Sequence, residues 1–173
     1  MLSVPEQEFD PGPILEVLVR HRVDFVVIGG LAGIARGSAY NTHDVDVAYE
    51  RSAENLSWLA AALSELGATL RGAPEGLPFQ PDSETLRAGS NFTFDTRFGS
   101  LDILGDPAGA PRYNELRAGG STEELWGLAI RIASIDHLIA MKEAAGRPRD
   151  LTMAAELRTI SDLLRAPNDE EAG

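Results

Sequence analysis

The chain has 173 residues, 43% hydrophobic and 24% charged, the length of one domain with a core to bury and too short for two full ones. It contains no Cys, which excludes a disulfide framework, a thiolate metal site and a Cys nucleophile. A formal net charge of −12 argues against a broad nucleic-acid surface, leaves room for a local basic groove, and suits divalent cations or a basic protein partner.

Met1 to Glu8 is acidic and lacks the basic region and apolar stretch of a signal peptide. No apolar run reaches the roughly 18 residues of a membrane span, so the expectation is a cytoplasmic protein with no membrane contact. Residues 1–12 and 166–173 read as flexible tails around one folded unit over 13–165. Pro13 to Arg22 reads as a helix with Ile14, Leu15, Leu18 and Val19 on one side. Val23 to Ile28 is almost wholly apolar and suits a central strand buried on both faces. Gly29-Gly30 breaks it, Leu31 to Arg36 reads as a short helix, and Gly37 to His43 as a polar loop. Asp44 to Val47 alternates strictly, which predicts a strand with both carboxylates on one face.

Ser52 is placed to cap a helix carrying Leu56, Leu59, Ala60, Leu63 and Leu66, stopped by Gly67. Residues 71–83, rich in Pro and Gly, read as an irregular loop. Glu84–Arg87, Asn91–Thr96 and Ser100–Leu104 read as strands, the last two forming a hairpin near Arg97 to Gly99; a further short strand is expected at Ala129–Ile132. Ser134 caps a helix to about Ala145, Gly146 ends it, and a last helix covers about Arg149 to Leu164. Strands and helices mix without regular alternation, so the fold class is α+β, a mixed sheet flanked by helices.

The chemistry centres on Gly29-Gly30, thirteen residues, then Asp44-Val-Asp46. Two carboxylates at alternate positions of a strand stand roughly 7 Å apart and point the same way. They repel each other unless a cation sits between them, and hard oxygen donors suit Mg²⁺ or Mn²⁺. The plain alternative is a polar strand face that meets water. Asp102, between Leu101 and Ile103 in an apolar strand, must face a solvated cleft or a partner, since burying it unpaired is expensive. Its plain alternative is a cap on the hairpin. If its strand pairs beside Asp44–Val47, three carboxylates converge in the geometry of two-metal nucleotidyl transfer. Glycines at a strand-to-helix turn let phosphate approach backbone N–H groups.

Fourteen of the fifteen basic residues are Arg; Lys142 is the exception. It lies on the helical stripe of Ile135, Leu138 and Ile139, so it snorkels outward or points into a cleft as a compact charge for a triphosphate. Asp150 begins the last helix, where capping explains it as well as orienting Lys142 or Arg147 or touching a nucleotide does, and Arg147 and Arg149 either hold phosphate or face solvent. Ser38 and Thr42 are either turn residues or phosphate contacts. His21, His43 and His137 have no zinc-ligand spacing, Trp58 and Trp126 are expected in the core, and no nucleophile–His–acid set is present.

Read together, these residues resemble the nucleotidyltransferase superfamily with a DNA polymerase β-like fold: a Gly-Gly at a helix start (Gly29, Gly30), an Asp-x-Asp (Asp44, Asp46) and a later strand Asp (Asp102). More narrowly, the segment 26–47, with Thr42 two residues before the first Asp, is similar to the first motif of AbiEii-type and MenT-type toxin nucleotidyltransferases. Ile135 to Lys142 and Gly146 to Asp150 are similar to that group's later Lys and Arg-x-x-Asp motif. One position departs: Tyr40 stands where the group commonly has Arg, and Arg36 is near enough to substitute.

The resemblance implies catalytic roles for Asp44, Asp46, Asp102 and Lys142, metal binding by the three Asp, and nucleotide contacts from Gly29, Gly30, Arg36, Ser38, Thr42, Lys142, Arg147 and Asp150. It implies a Mg²⁺-dependent transfer of a nucleotide monophosphate from an NTP to an acceptor hydroxyl, a tRNA 3′ end, by the toxin of a bacterial toxin–antitoxin pair with a cognate antitoxin as partner. A small-molecule acceptor of the antibiotic type, a protein acceptor and a non-catalytic nucleotide-binding or partner-binding module are the alternatives.

Overall fold

A computed structural model describes residues 8–167. Most of the two expected tails, residues 1–7 and 168–173, lies outside them, whereas Phe9 packs against the core and Asp10 accepts a hydrogen bond from the Gly12 N–H at 2.9 Å.

Helix α1 (Gly12–Arg20) buries Ile14, Leu15, Val17 and Leu18. It stops two residues before the sequence pattern does, because Arg22 turns into the left-handed region at φ 61°. Strand β1 (Phe25–Ile28) is buried at every position, as its unbroken apolar run requires. Helix α2 (Gly29–Ala35) follows without a loop, starting on the two glycines. Strand β2 (Asp44–Tyr49) keeps Val45, Val47 and Tyr49 in the core while Asp44 and Asp46 take the partly open face. Helix α3 (Ala53–Glu65) starts where Ser52 accepts a hydrogen bond from the Asn55 N–H.

Residues 84–87, expected as a strand, form helix α4 (Ser83–Ala88) instead. Asp82 caps it, accepting from the Thr85 N–H at 2.8 Å, and that local bond outweighs the short segment's strand pattern. Strand β3 (Thr69–Leu70) pairs antiparallel with β4 (Asn91–Thr96), which forms the expected hairpin with β5 (Gly99–Leu104). Helix α5 (Tyr113–Gly119) and strand β6 (Ser121–Leu125) carry no strong periodic signal. β6 is a polar edge strand that exists because β7 (Leu128–Ile132) offers it a hydrogen-bonding partner. Trp126 sits in the turn between them at φ 50° and is 48% exposed, so it is not a core residue; Trp58 is partly buried against the core. Helix α6 (Ile135–Ala145) is capped by Ser134 and closed by Gly146 at φ 70°, and α7 (Pro148–Arg165) starts on a proline.

The seven strands make one mixed sheet in the order β3-β4-β5-β2-β1-β7-β6. β2 is antiparallel to β1 and parallel to β5; β1 is parallel to β7. α2 packs on β1, β2 and α6, and α6 packs on α7. This stack brings the amino end of α2 and the facing sides of α6 and α7 to the carboxylate face of the central strands. Among the described residues no helix is long and apolar enough to cross a membrane.

Candidate active site

The parallel pairing of β2 and β5 sets Asp46 directly opposite Asp102 and Asp44 opposite Ser100. Val45, Val47, Leu101 and Ile103 point the other way into the core with no exposure. Strand alternation therefore leaves the three carboxylates one shared face. They open on a cleft of about 440 Å³ that is also lined by Gly30, Thr42, Lys142, Arg147, Arg149 and Asp150.

Gly29 explains how the α2 start approaches this face. Its φ is +67°, and a Cβ there would stand 2.1 Å from Asp46 Oδ2, so neither the backbone nor the space admits a side chain. A Cβ on Gly30 would meet Thr42 at 3.0 Å. Thr42 itself bonds locally, donating to the Asp44 carbonyl at 3.2 Å, which braces the loop entering β2.

Burial, the neighbouring Asp102 charge with a proton shared between the two, and then Asp44 push the Asp46 carboxyl up to about 7; Lys142 pulls the other way. A cation or a proton must relieve such crowding. The donors are all carboxylate oxygens, a set that suits Mg²⁺ or Mn²⁺. Among the described residues, however, no three acidic or His side chains form a ready-made metal cage.

Across the cleft, Lys142 Nζ lies 3.5 Å from Asp150 Oδ1, and Arg147 Nε donates to Asp150 Oδ2 at 2.7 Å. Asp150 is only 3% exposed. Burial works to raise its pKa, but the Arg147 hydrogen bond and the Lys142 and Arg147 charges outweigh it and hold the carboxyl below the usual value. Lys142 is thus turned inward and tethered rather than snorkelling into solvent.

Two expected nucleotide contacts do not reach the cleft. Arg36 donates to the Ala133 and Ile132 carbonyls, both at 3.0 Å, and lies 3.5 Å from Glu123. It fastens α2 to the end of β7 and does not line the cleft. Ser38 donates to Glu156 at 2.5 Å, tying the loop to α7. Conversely, sequence reasoning missed Arg71, whose Nη2 donates to Asp102 Oδ1 at 2.8 Å. It arrives from the Pro- and Gly-rich loop after β3, where no periodicity or spacing marks it. Asn41 and Met153 also line the cleft unannounced.

Solved structures with the same architecture include the lincosamide antibiotic adenylyltransferase LnuA bound to lincomycin, at 16% identity and a TM-score of 0.57, covering 86% of this chain and 94% of that one. An antigenic nucleotidyltransferase-like protein from Paracoccidioides brasiliensis matches at 14% identity and a TM-score of 0.54, covering 88% and 73%. The chain has the nucleotidyltransferase fold. At these identities the likeness is one of fold alone. No family model and no curated protein matches the chain. Within the nucleotidyltransferase fold, the α2 start, the β2 pair and the β5 carboxylate meet at the centre of the sheet, where β2 lies between β5 and β1.

Proposed function

We propose that the protein is a divalent-metal-dependent nucleotidyltransferase that moves a nucleotide monophosphate from an NTP to an acceptor hydroxyl. The observation that carries this is the Asp46–Asp102 register, with Asp44 on the same face and Lys142 across one cleft. In the reaction the acceptor oxygen bonds to the α-phosphorus as the bond to pyrophosphate breaks, and the hydroxyl proton passes to a base or to water. Bound Mg²⁺ or Mn²⁺, held by Asp44, Asp46 and Asp102, supplies Lewis-acid charge stabilisation. Lys142, kept inward by Asp150, neutralises phosphate charge, with Arg147 and Arg149 at the rim. Gly29 and Gly30 let the helix start close on Asp46 and Thr42, which sets α2 against the carboxylate face. The protein's part is positioning and electrostatics.

The acceptor we favour is a tRNA 3′ end, with the protein acting as the toxin of a toxin–antitoxin pair, on the motif series Thr42-x-Asp44, Lys142 and Arg147-x-x-Asp150. A net charge of −12 favours a second reading, a small cationic acceptor, because it works against a polyanion. Incubation with Mg²⁺, each α-labelled NTP and total tRNA, beside Asp46→Asn, decides. Label on RNA with the native protein alone supports the first reading. Label on an added aminoglycoside or lincosamide but not on RNA supports the second, and no transfer to any acceptor, with no NTP binding, refutes both.

A further inference from the structure

Arg71 is the one basic side chain of the cleft that is hydrogen-bonded to a carboxylate of the β2–β5 face. Its guanidinium is fixed from three sides. Nη2 donates to Asp102 Oδ1 at 2.8 Å and to the Phe94 carbonyl at 3.0 Å, while Nε reaches Asp95 at 3.3 Å. Phe94 and Asp95 belong to β4, the strand that pairs with β5 in register, Thr93 facing Asp102. The sheet therefore holds the arginine, and the arginine holds one oxygen of Asp102. Nη1 of Arg71 donates no hydrogen bond among the described residues.

We infer that Arg71 is a positioning residue for the proposed transfer: it fixes the orientation of Asp102 and offsets one negative charge of the carboxylate group. This rests on the nucleotidyltransferase reading. The physical case is that a carboxylate on a strand rotates about two side-chain bonds, and a planar fork anchored to backbone stops that rotation where a flexible ammonium does not. The two cations also hold different carboxylates, since Lys142 on α6 lies beside Asp150 while Arg71, from the loop after β3, is bonded to Asp102. With Arg71, Lys142, Arg147 and Arg149 set against Asp44, Asp46, Asp102 and Asp150, formal charges in the cleft balance when all are ionised. Removing Arg71 leaves the cleft more negative and Asp102 free to turn.

The test uses the native protein, Arg71→Ala and Arg71→Lys, with direct Mn²⁺ binding followed by electron paramagnetic resonance and NTP turnover measured separately. Arg71→Ala is expected to bind Mn²⁺ about tenfold more tightly, because a unit positive charge beside the ion is gone. Arg71→Lys keeps the charge and loses the fork: Mn²⁺ affinity and the KM for NTP stay within about threefold, while kcat falls at least about tenfold. A scaffold role alone would weaken binding and turnover together and never tighten the metal. Unchanged or weaker Mn²⁺ binding in Arg71→Ala, or native kcat in Arg71→Lys, overturns the assignment. If the native protein neither binds Mn²⁺ nor transfers a nucleotide, the functional reading itself falls and the role of Arg71 with it; native binding and transfer with unaltered variants sink Arg71 alone.

Discussion

Replacing Asp46 by Asn makes the metal-free protein more stable at alkaline pH, although it removes a residue of the proposed active site. Asp46 has an ordinary carboxyl value of 3.8 and is held at about 7 in the fold. Below pH 4 it is protonated in both folded and unfolded chains and carries no penalty. Between pH 4 and 7 the unfolded chain loses this proton while the fold retains it, so native stability falls as pH rises, and the full penalty stands above pH 7. A difference of about three pKa units corresponds to about 4 kcal/mol. The cleft is open to water that screens the cluster, so about 2 kcal/mol is the expected gain. Asn is nearly the same size, is neutral at every pH, and its amide can donate to Asp102. Urea unfolding in EDTA should therefore show Asp46→Asn more stable than native at pH 8, and by more than at pH 5. Adding Mg²⁺ at pH 8 should stabilise only the native protein, by about 2.7 kcal/mol at a hundredfold excess over the dissociation constant. An Asn variant no more stable than native at pH 8 would refute the idea that the carboxylates are crowded.

Asp150 should behave with the opposite sign. Its carboxyl is held below the ordinary value, so its stabilisation is complete above pH 4 and is lost as pH falls through the folded value. Asp150→Asn is expected to cost about 1–3 kcal/mol at pH 7; equal urea midpoints for the two proteins at that pH would contradict the pairing with Lys142 and Arg147. Gly29→Ala forces a side chain at φ +67° into Asp46 Oδ2, and a loss of at least about 1–2 kcal/mol is expected together with loss of Mn²⁺ binding. Arg36→Ala removes two hydrogen bonds to the carbonyls of residues 132 and 133. It should lower stability by about 1–3 kcal/mol while leaving the KM for NTP within about twofold; a large rise in KM would return Arg36 to the nucleotide site.

Features set by a few neighbouring residues were legible in the sequence. The strict alternation of Asp44 to Val47 puts both carboxylates on one face whatever the strand pairs with. Ser134 and Gly146 bracket α6 by capping bonds that span only a turn of chain, and the seven-residue offset from Ile135 to Lys142 keeps the lysine on the inward stripe. Gly29-Gly30 marked the strand-to-helix turn, which proved to be a steric requirement set by Asp46. Where local signals were weak or competing, the reading failed: Asp82 turned 83–88 into a helix, and β6 formed only because an edge needed a partner.

What no local pattern carries is register between distant segments. That Asp46 faces Asp102 depends on β2 and β5 lying side by side and parallel, and sliding either strand by one residue would turn its carboxylates into the core. The same packing decides that Arg71 reaches Asp102 from a loop, that Arg36 is taken by the carbonyls at the end of β7, and that Trp126 stays at the surface. Which residues carry the chemistry, and which face of its element each occupies, follows from local backbone periods of two and 3.6 residues. Which of them meet depends instead on how the whole sheet and its helices bury their apolar faces together.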